Sequence, residues 1–207
     1  MNLDDWMTTY GDMITLLMAF FLVLIAISKV DLALFEQIKS GLRSEIINEE
    51  VPTPLAEIKH DLDSILILER SAKKVKILMT NKGIKMEFAS SAFYGAGKAD
   101  ISREAADIID KVTGAIKEIT YYNFSVDIEG HTDNVPINTL RFPSNWELSV
   151  ARATNIVKYM IETGMASDRL KAAGYADTKP MYPNQDSTGA NIPSNQAANR
   201  RIVIQIH

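Results

Sequence analysis

The chain has 207 residues, 46% of them apolar and 23% charged, which suits one globular domain with some additional sequence. Its net charge is −4, and no cluster of Lys and Arg is interleaved with aromatic residues, so the electrostatic footprint of a nucleic-acid-binding protein is absent. There is no cysteine, which excludes disulfides, thiolate metal sites and a cysteine nucleophile.

Residues 6–28, WMTTYGDMITLLMAFFLVLIAIS, form the first element. From Met13 to Ile27 nothing is charged and only Thr15 is polar. At about 1.5 Å per residue such a helix spans roughly 34 Å, slightly more than a hydrocarbon core. Ala26-Ile27-Ser28 resembles a signal-peptide cleavage site, but a signal peptide carries Lys or Arg in front, and this segment offers Asp4, Asp5 and Asp12 instead. The expectation is a retained spanning helix. Lys29 follows the helix and acids precede it, so the positive-inside rule, on one lysine, points to a cytoplasmic C-terminal side. The residues alone leave two readings of Asp12 open, an interfacial acid near the headgroups or a functional carboxylate.

Residues 29–50 follow with Leu32, Phe35, Ile38, Leu42 and Ile46 at intervals of three and four, the spacing of a short amphipathic helix. It fits ordinary packing or a dimer contact as well as a membrane-surface or plugging helix. Val51-Pro52-Thr53-Pro54 reads as a hinge, and residues 51–72 as a linker and helix with Leu55, Ile58, Leu62, Ile65 and Leu66 on one face.

From residue 73 the period changes. Val75–Met79 and Ile84–Phe88 flank Thr80-Asn81-Lys82-Gly83 as strand, turn and strand. Ser102–Ile119 reads as a helix with Ala105, Ile108, Ile109, Val112 and Ile116 on one face, and Asn123–Glu129 alternates as a strand. Ser144-Asn145-Trp146-Glu147 is a capping box opening a helix to about Thr163, whose core face carries Leu148, Ala151, Ile156 and Met160. Arg169–Tyr175 reads as a short strand, Lys179–Asn199 as a loop, and Arg200–His207 as a closing strand. The order β-α-β-α-β places residues 73–207 in the α/β (α+β) class, a mixed sheet with helices packed on one face.

Familiar catalytic patterns fail. At Gly95-Ala96-Gly97-Lys98, Ala92 stands where a P-loop needs its first glycine and Ala99 where it needs Ser or Thr. No G-x-S-x-G occurs. His131 and Asp133 can co-ligand a metal in principle, but His60 and His207 are remote in sequence and no HExxH-type spacing exists. The expectation is a machine part or binding module, with no catalytic residue, no metal and no resident cofactor.

Two distant stretches resemble one family. Trp6-Met7-Thr8-Thr9-Tyr10-Gly11-Asp12-Met13-Ile14-Thr15 resembles the W-x-x-x-Y-A-D-x-x-T signature of MotB-type (MotB/PomB) stator subunits of bacterial flagellar motors. Gly130-His131-Thr132-Asp133, Ser144–Ser149 (SNWELS), Arg152-Ala153 and Asn199-Arg200-Arg201 resemble an OmpA-like peptidoglycan-binding domain, and the SNWELS wording is nearer the MotB branch than the lipoprotein branch. Together the two signals cover nearly the whole chain.

The resemblance implies that Asp12 carries the driving ion, H⁺ or Na⁺, with Thr15 one turn away on the same face contributing an oxygen. A charge at the bilayer centre costs roughly 2.5–3.5 kcal/mol on insertion scales, which suits a carboxylate that is neutralised on one side and released on the other. Each charge crossing the field gains roughly 2.3 kcal/mol per 100 mV. Such a group cannot face lipid, and the family's answer is a homodimer inside a ring of MotA-type subunits. Residues 32–47 fall where the family carries a plug. In the C-terminal domain the resemblance assigns Asp133 to the ammonium and Arg152 to the carboxylate of a diaminopimelate stem-peptide end, with Asn145 shaping the pocket. Arg is suited to bidentate carboxylate binding. Arg200 and Arg201 are expected to be structural, pairing near the sheet edge.

Because peptidoglycan lies outside the inner membrane, the implied orientation is N-terminus cytoplasmic and C-terminal domain periplasmic, against Lys29. The implied function is an ion-motive stator subunit serving motility. Its alternatives are a static inner-membrane peptidoglycan tether, or the B-type subunit of a gliding or Zorya-type defence motor. Two features depart from the family pattern. Gly11 replaces alanine, at roughly 1 kcal/mol of helix propensity. Residues 29–73 are short for a long linker, so reach depends on unfolding residues 51–72. Asn134–Pro143 is longer than in lipoprotein relatives, in keeping with the MotB branch.

Overall fold

The computed structural model describes residues 3–27, 54–72, 74–118 and 124–207. It divides into two compact units, Met1–Asp31 and Leu32–His207. The amphipathic stretch at 29–50 lies outside the described residues, and so do hinge residues 51–53.

The first unit is one helix, α1 (Leu3–Ile27). Its segment Trp6–Ile25, 20 residues, is long and apolar enough to cross a membrane, and none of it is buried within the chain. Trp6 and Tyr10 lie one turn apart with ring centroids 6.1 Å from each other, amphipathic rings of the kind that settle at headgroup level. About 9 Å of helical rise separates Trp6 from Asp12.

The second unit begins with α2 (Pro54–Ile65) and α3 (Ile67–Ser71). Strands β1 (Val75–Thr80) and β2 (Gly83–Ala89) form an antiparallel hairpin whose turn needs Gly83 at φ 111°. Then come the short α4 (Ser90–Phe93), the long α5 (Arg103–Glu118), β3 (Val126–Gly130), α6 (Asn145–Glu162), β4 (Leu170–Gly174), α7 (Pro193–Asn199) and β5 (Arg201–Ile206). The sheet order is β1-β2-β5-β3-β4, antiparallel throughout except for the parallel β3–β4 pair. The last strand in sequence is thus the central strand in space.

Alternation along the strands makes the sheet two-faced. Val75, Ile77, Ile84, Met86, Phe88, Val126, Ile128, Ile202, Ile204 and Ile206 are buried against the helices in one continuous core. Lys76, Lys85, Glu87, Asp127 and Glu129 stand at the intervening positions. The mixed sheet with helices on one face is therefore present. Leu55, Ile58, Leu62 and Leu66 of the α2–α3 stretch belong to the same core at 0–1% exposure. Unfolding residues 51–72 to gain reach would expose these four side chains, at roughly 1.5–3 kcal/mol each.

Two details depart from the sequence reading. The stretch 179–199, expected as a loop, ends in α7, which starts at Pro193 in its first turn, where a missing N–H costs nothing. The buried Asn199 then ties the loop to the helix end: its Oδ1 accepts from the Met181 and Tyr182 amides, and its Nδ2 donates to Tyr182 O and Asn184 Oδ1. In α6, Ile156 and Met160 face the main core as expected, whereas Leu148 joins a separate small cluster with Ala99 and Phe142, with Ala151 against it.

Candidate functional site

A cleft of about 560 Å³ opens above the ends of β3 and β5, bounded by the α4 region, the loop 132–137 and the start of α6. It brings together Asp133, Asn145 and Arg152, three residues assigned to one site from the sequence, and adds Arg200. Asp133, Arg152 and Arg200 are the charged residues of its lining.

Local sequence explains how these side chains arrive. Ser144 caps α6 by accepting from the Trp146 amide at 3.1 Å, while Glu147 accepts from the Ser144 amide at 2.8 Å, the capping box expected from the sequence. Asn145 opens the helix, and Arg152 follows two turns later. The helix sits tightly on β3: a Cβ added at Gly130 would lie 2.2 Å from the Ser149 carbonyl oxygen, so only glycine permits the approach. The glycine of the GHTD stretch thereby sets the distance between the helix bearing Arg152 and the strand leading to Asp133.

Arg152 is 5% exposed. Its Nε donates to Lys98 O at 2.9 Å, its Nη1 to Ser90 Oγ at 3.1 Å, and its Nη2 makes a longer contact to Gly95 O at 3.4 Å. The Tyr94 ring lies beneath the guanidinium at 5.0 Å. Burial pulls the guanidinium pKa down from its ordinary value, and among the described residues no carboxylate stands within ion-pair distance of it. A buried cation without a carboxylate partner beside an open cleft is a site prepared for an anion. The Gly95–Lys98 stretch that fails as a phosphate loop supplies two of the carbonyls holding Arg152.

Asp133 is nearly buried. Its Oδ1 accepts from the Val135 amide at 3.1 Å, turning the chain, and its Oδ2 accepts from Arg200 Nη1 at 2.5 Å. Asn145 does not point a free amide at the cleft; its Nδ2 donates to Val135 O at 2.9 Å and Asp133 O at 3.3 Å, holding the loop that carries Asp133. Gln196 reaches the same loop, donating to Asn134 Oδ1 at 2.8 Å. The outer wall, residues 135–142, is pinned by Phe142 against Ala99 and Leu148 and by two hydrogen bonds from Arg141 to Asp100.

His131 is turned away from the cleft. Its Nε2 meets Glu129 Oε2 at 3.1 Å and its ring stacks on Tyr175 at 5.3 Å. The expectation for the paired arginines needs correction. Their strand is central, so there is no sheet edge for them to pair at, and adjacent residues at its start take different sides. Arg201 donates to Asn199 O and Lys179 O and is structural. Arg200 lines the cleft and pairs with Asp133. Period-two alternation into β5 was the available signal that only one of the two can be on the cleft side.

In α1, Thr15 lies on the same face as Asp12, and its hydroxyl donates to the Asp12 backbone carbonyl at 2.9 Å. A Cβ at Gly11 would meet nothing within 4 Å.

Both parts of the chain match known proteins. Residues 2–46 match the family described as membrane MotB of the proton-channel complex MotA/MotB, and residues 93–193 match the OmpA family. Motility protein B of Bacillus subtilis is 25% identical over 98% of this chain and 90% of its own length. The uncharacterized protein YtxE of the same organism is 29% identical over 98% of this chain and 88% of its own. Among solved structures, the cell wall anchor of the type VI secretion system from Pseudomonas aeruginosa is 28% identical, covers 70% of this chain and 95% of its own, and superposes with a TM-score of 0.60.

An apolar N-terminal helix long enough to cross a membrane, followed by an OmpA-type domain with a charged cleft, fits a membrane-anchored protein of the OmpA-domain class. Within that class, the match at residues 2–46 and the relatives along nearly the whole chain give it a MotB-type N-terminal segment joined to an OmpA-type domain, as in the proteins named Motility protein B that it resembles.

Proposed function

We propose that this chain is the B-type subunit of an ion-driven stator, in which Asp12 carries H⁺ or Na⁺ and the OmpA-type domain holds the complex to peptidoglycan. The observation that carries the reading is the presence in one chain of a carboxylate in an apolar membrane helix and a cleft where Asp133, Arg152 and Arg200 converge. The family is one of stator and wall-anchoring components that act with MotA, which supports a non-enzymatic role.

The cleft fits a ligand end bearing an ammonium and a carboxylate, as diaminopimelate does. Asp133 supplies the acceptor and the guanidinium groups supply planar donors, while Asn145 positions the loop. Anchoring to peptidoglycan places the C-terminal domain in the periplasm and the N-terminus in the cytoplasm. Asp12, with the Thr15 hydroxyl beside it, faces partner helices: a second copy of this chain and a ring of MotA-type subunits. Residues 32–47 are assigned as a plug; their deletion should raise ion leak, and an unchanged leak removes the assignment.

The relative that anchors a secretion system to the cell wall supports a second reading, a static tether. That reading uses the cleft and gives Asp12 no work. Sedimentation of the detergent-solubilised full chain with purified sacculi tests the shared half. Asp133→Asn and Arg152→Ala should each reduce the bound fraction by about tenfold, the scale of a charge-assisted hydrogen bond. Undiminished binding by both variants would refute the site.

A further inference from the structure

One shoulder of α6 is left uncovered. On the opposite shoulder, Tyr159 and Asn155 face α5 and the loop before it: the Tyr159 hydroxyl donates to Asp110 Oδ2 at 3.1 Å, and Asn155 Nδ2 donates to Ala99 O at 2.7 Å. The uncovered shoulder carries Trp146, Val150, Thr154, Val157 and Ile161. At 3.6 residues per turn these five fall within an arc of about 80°, a stripe without a charge and about 22 Å long. Trp146, Val150 and Ile161 are 49%, 43% and 41% exposed. At Val150 the stripe overhangs β4, since a Cβ added at Gly174 would lie 2.5 Å from Val150 Cγ2. β4 is the last strand on that side, and among the described residues no strand continues the sheet beyond it.

The stripe is complementary to itself. In an antiparallel two-fold pair of α6 helices, centred between Ala153 and Thr154 at the helix midpoint, Trp146 meets Ile161 of the second copy and Val150 meets Val157 of the second copy. The charges agree with that direction. Glu147 and Lys158 project within about 20° of each other along the outer margin of the stripe, near its opposite ends. A two-fold axis across the helices keeps that margin on one side and reverses its ends, so each Glu147 comes to face Lys158 of the other copy. A parallel pair places the two margins on opposite sides and pairs neither charge. A shallow groove of about 460 Å³ along this margin, lined in part by Trp146, Val150, Thr154 and Lys158, gives the incoming side chains room.

We propose that this shoulder of α6 is the contact through which the C-terminal domains of two copies of the chain pair, antiparallel and two-fold. It rests on the pairing of two copies through α1 proposed above, and names the second surface which that pairing brings together. The stripe buries on the order of 300 Å² per copy, well under the roughly 800 Å² per partner of a free-standing interface. Domains already tethered through paired membrane helices need less, because tethering holds them at an effective concentration in about the millimolar range.

The test is oxidative cross-linking of the full chain in membranes, with single cysteines introduced into a sequence that has none. The two Thr154 positions lie about 1.5 Å apart along the paired helices, so Thr154→Cys should cross-link with itself in most of the chain. The two Trp146 positions lie about 22 Å apart, as do the two Ile161 positions, beyond the roughly 7 Å that a disulfide spans between Cα atoms. Neither Trp146→Cys nor Ile161→Cys should therefore cross-link alone, whereas the two co-expressed should. Lys82→Cys, in the β1–β2 turn, measures random collision, and sedimentation of the wild-type chain in detergent gives the oligomeric state independently. A chain that sediments as a dimer but yields no more Thr154→Cys product than Lys82→Cys product overturns the contact and leaves the α1 pairing in place. Trp146→Cys product formed without Ile161→Cys makes the pair parallel and likewise overturns it. A chain that sediments as a monomer overturns the α1 pairing and the contact together.

Discussion

Tyr94 holds Arg152 at both ends. Its hydroxyl donates to the Arg152 backbone carbonyl at 2.7 Å, and its ring lies 5.0 Å from the guanidinium carbon of the same residue. Burial raises the phenol pKa above its ordinary value of 10, so Tyr94 is a protonated donor at neutral pH. Tyr94→Phe removes the hydrogen bond and keeps the ring, and should cost about 1 kcal/mol in urea unfolding. Tyr94→Leu also removes the cation–π contact and should in addition weaken sacculus binding, because the guanidinium loses its platform. Equal binding by both variants would show that the ring does not position Arg152.

His131 should make the fold acid-sensitive. Burial lowers its pKa below the ordinary 6.5, the hydrogen bond to Glu129 opposes this, and nearby Arg201 and Lys179 reinforce the lowering. Its Nδ1 is buried without a partner, so a second ring N–H would go unpaired. With the folded pKa below the unfolded one, the unfolded chain binds more protons as pH falls. Stability is therefore full above about 6.5 and declines as pH drops from there through the folded value. The Glu129 carboxyl is held below its ordinary 4.5, first by the His131 hydrogen bond, so its contribution is present above 4.5 and is lost as pH falls through its lower folded value. Thermal midpoints of wild type and His131→Gln between pH 7.5 and 5.5 should show a flatter slope in the variant. Parallel slopes would remove His131 as the cause.

Gly130 should be intolerant of any side chain. The nearest atom to a new Cβ is a helix carbonyl oxygen at 2.2 Å, with the Ser149 carbonyl carbon at 2.9 Å, both backbone, so relief requires α6 to lift from β3. Gly130→Ala should cost about 3 kcal/mol, the upper end for overpacking. It should also weaken peptide binding, because the lift carries Arg152 away from Asp133. A shift in unfolding midpoint without any loss of binding would show that the cleft tolerates the displacement.

Most of the sheet was legible because Ile84, Met86 and Phe88, and Ile202, Ile204 and Ile206, alternate cleanly, and the α6 start was legible because its capping box is local chemistry. What stayed hidden depends on distance in sequence. Arg200 reaches Asp133 across 67 residues, and which of Arg200 and Arg201 faces the cleft depends on where β5 begins, since a shift of one residue exchanges faces. The helix α7 was hidden because PSNQAAN has loop composition and is held by Asn199 through residues 181–184, contacts that no local pattern announces. The burial of Leu55, Ile58, Leu62 and Leu66 followed their spacing, but the spacing did not say which surface they cover.

Gly11 offers a smaller probe of the membrane helix. Among the described residues nothing lies within 4 Å of a Cβ placed there, so Gly11→Ala should raise helix propensity by about 1 kcal/mol with no clash among them. Lost function with normal membrane insertion would locate a close partner helix at Gly11; unchanged function would show that face to be open.

The central claim is that Asp12 carries ions while the C-terminal domain holds the wall. Its most direct measurement is ion flux across cells co-expressing this chain, deleted for residues 32–47, with a MotA-type partner, comparing Asp12 with Asp12→Asn. The account predicts that Asp12→Asn abolishes the flux while sacculus binding of the same variant stays at the wild-type level. Flux that persists in Asp12→Asn would contradict it and leave the chain as a static tether.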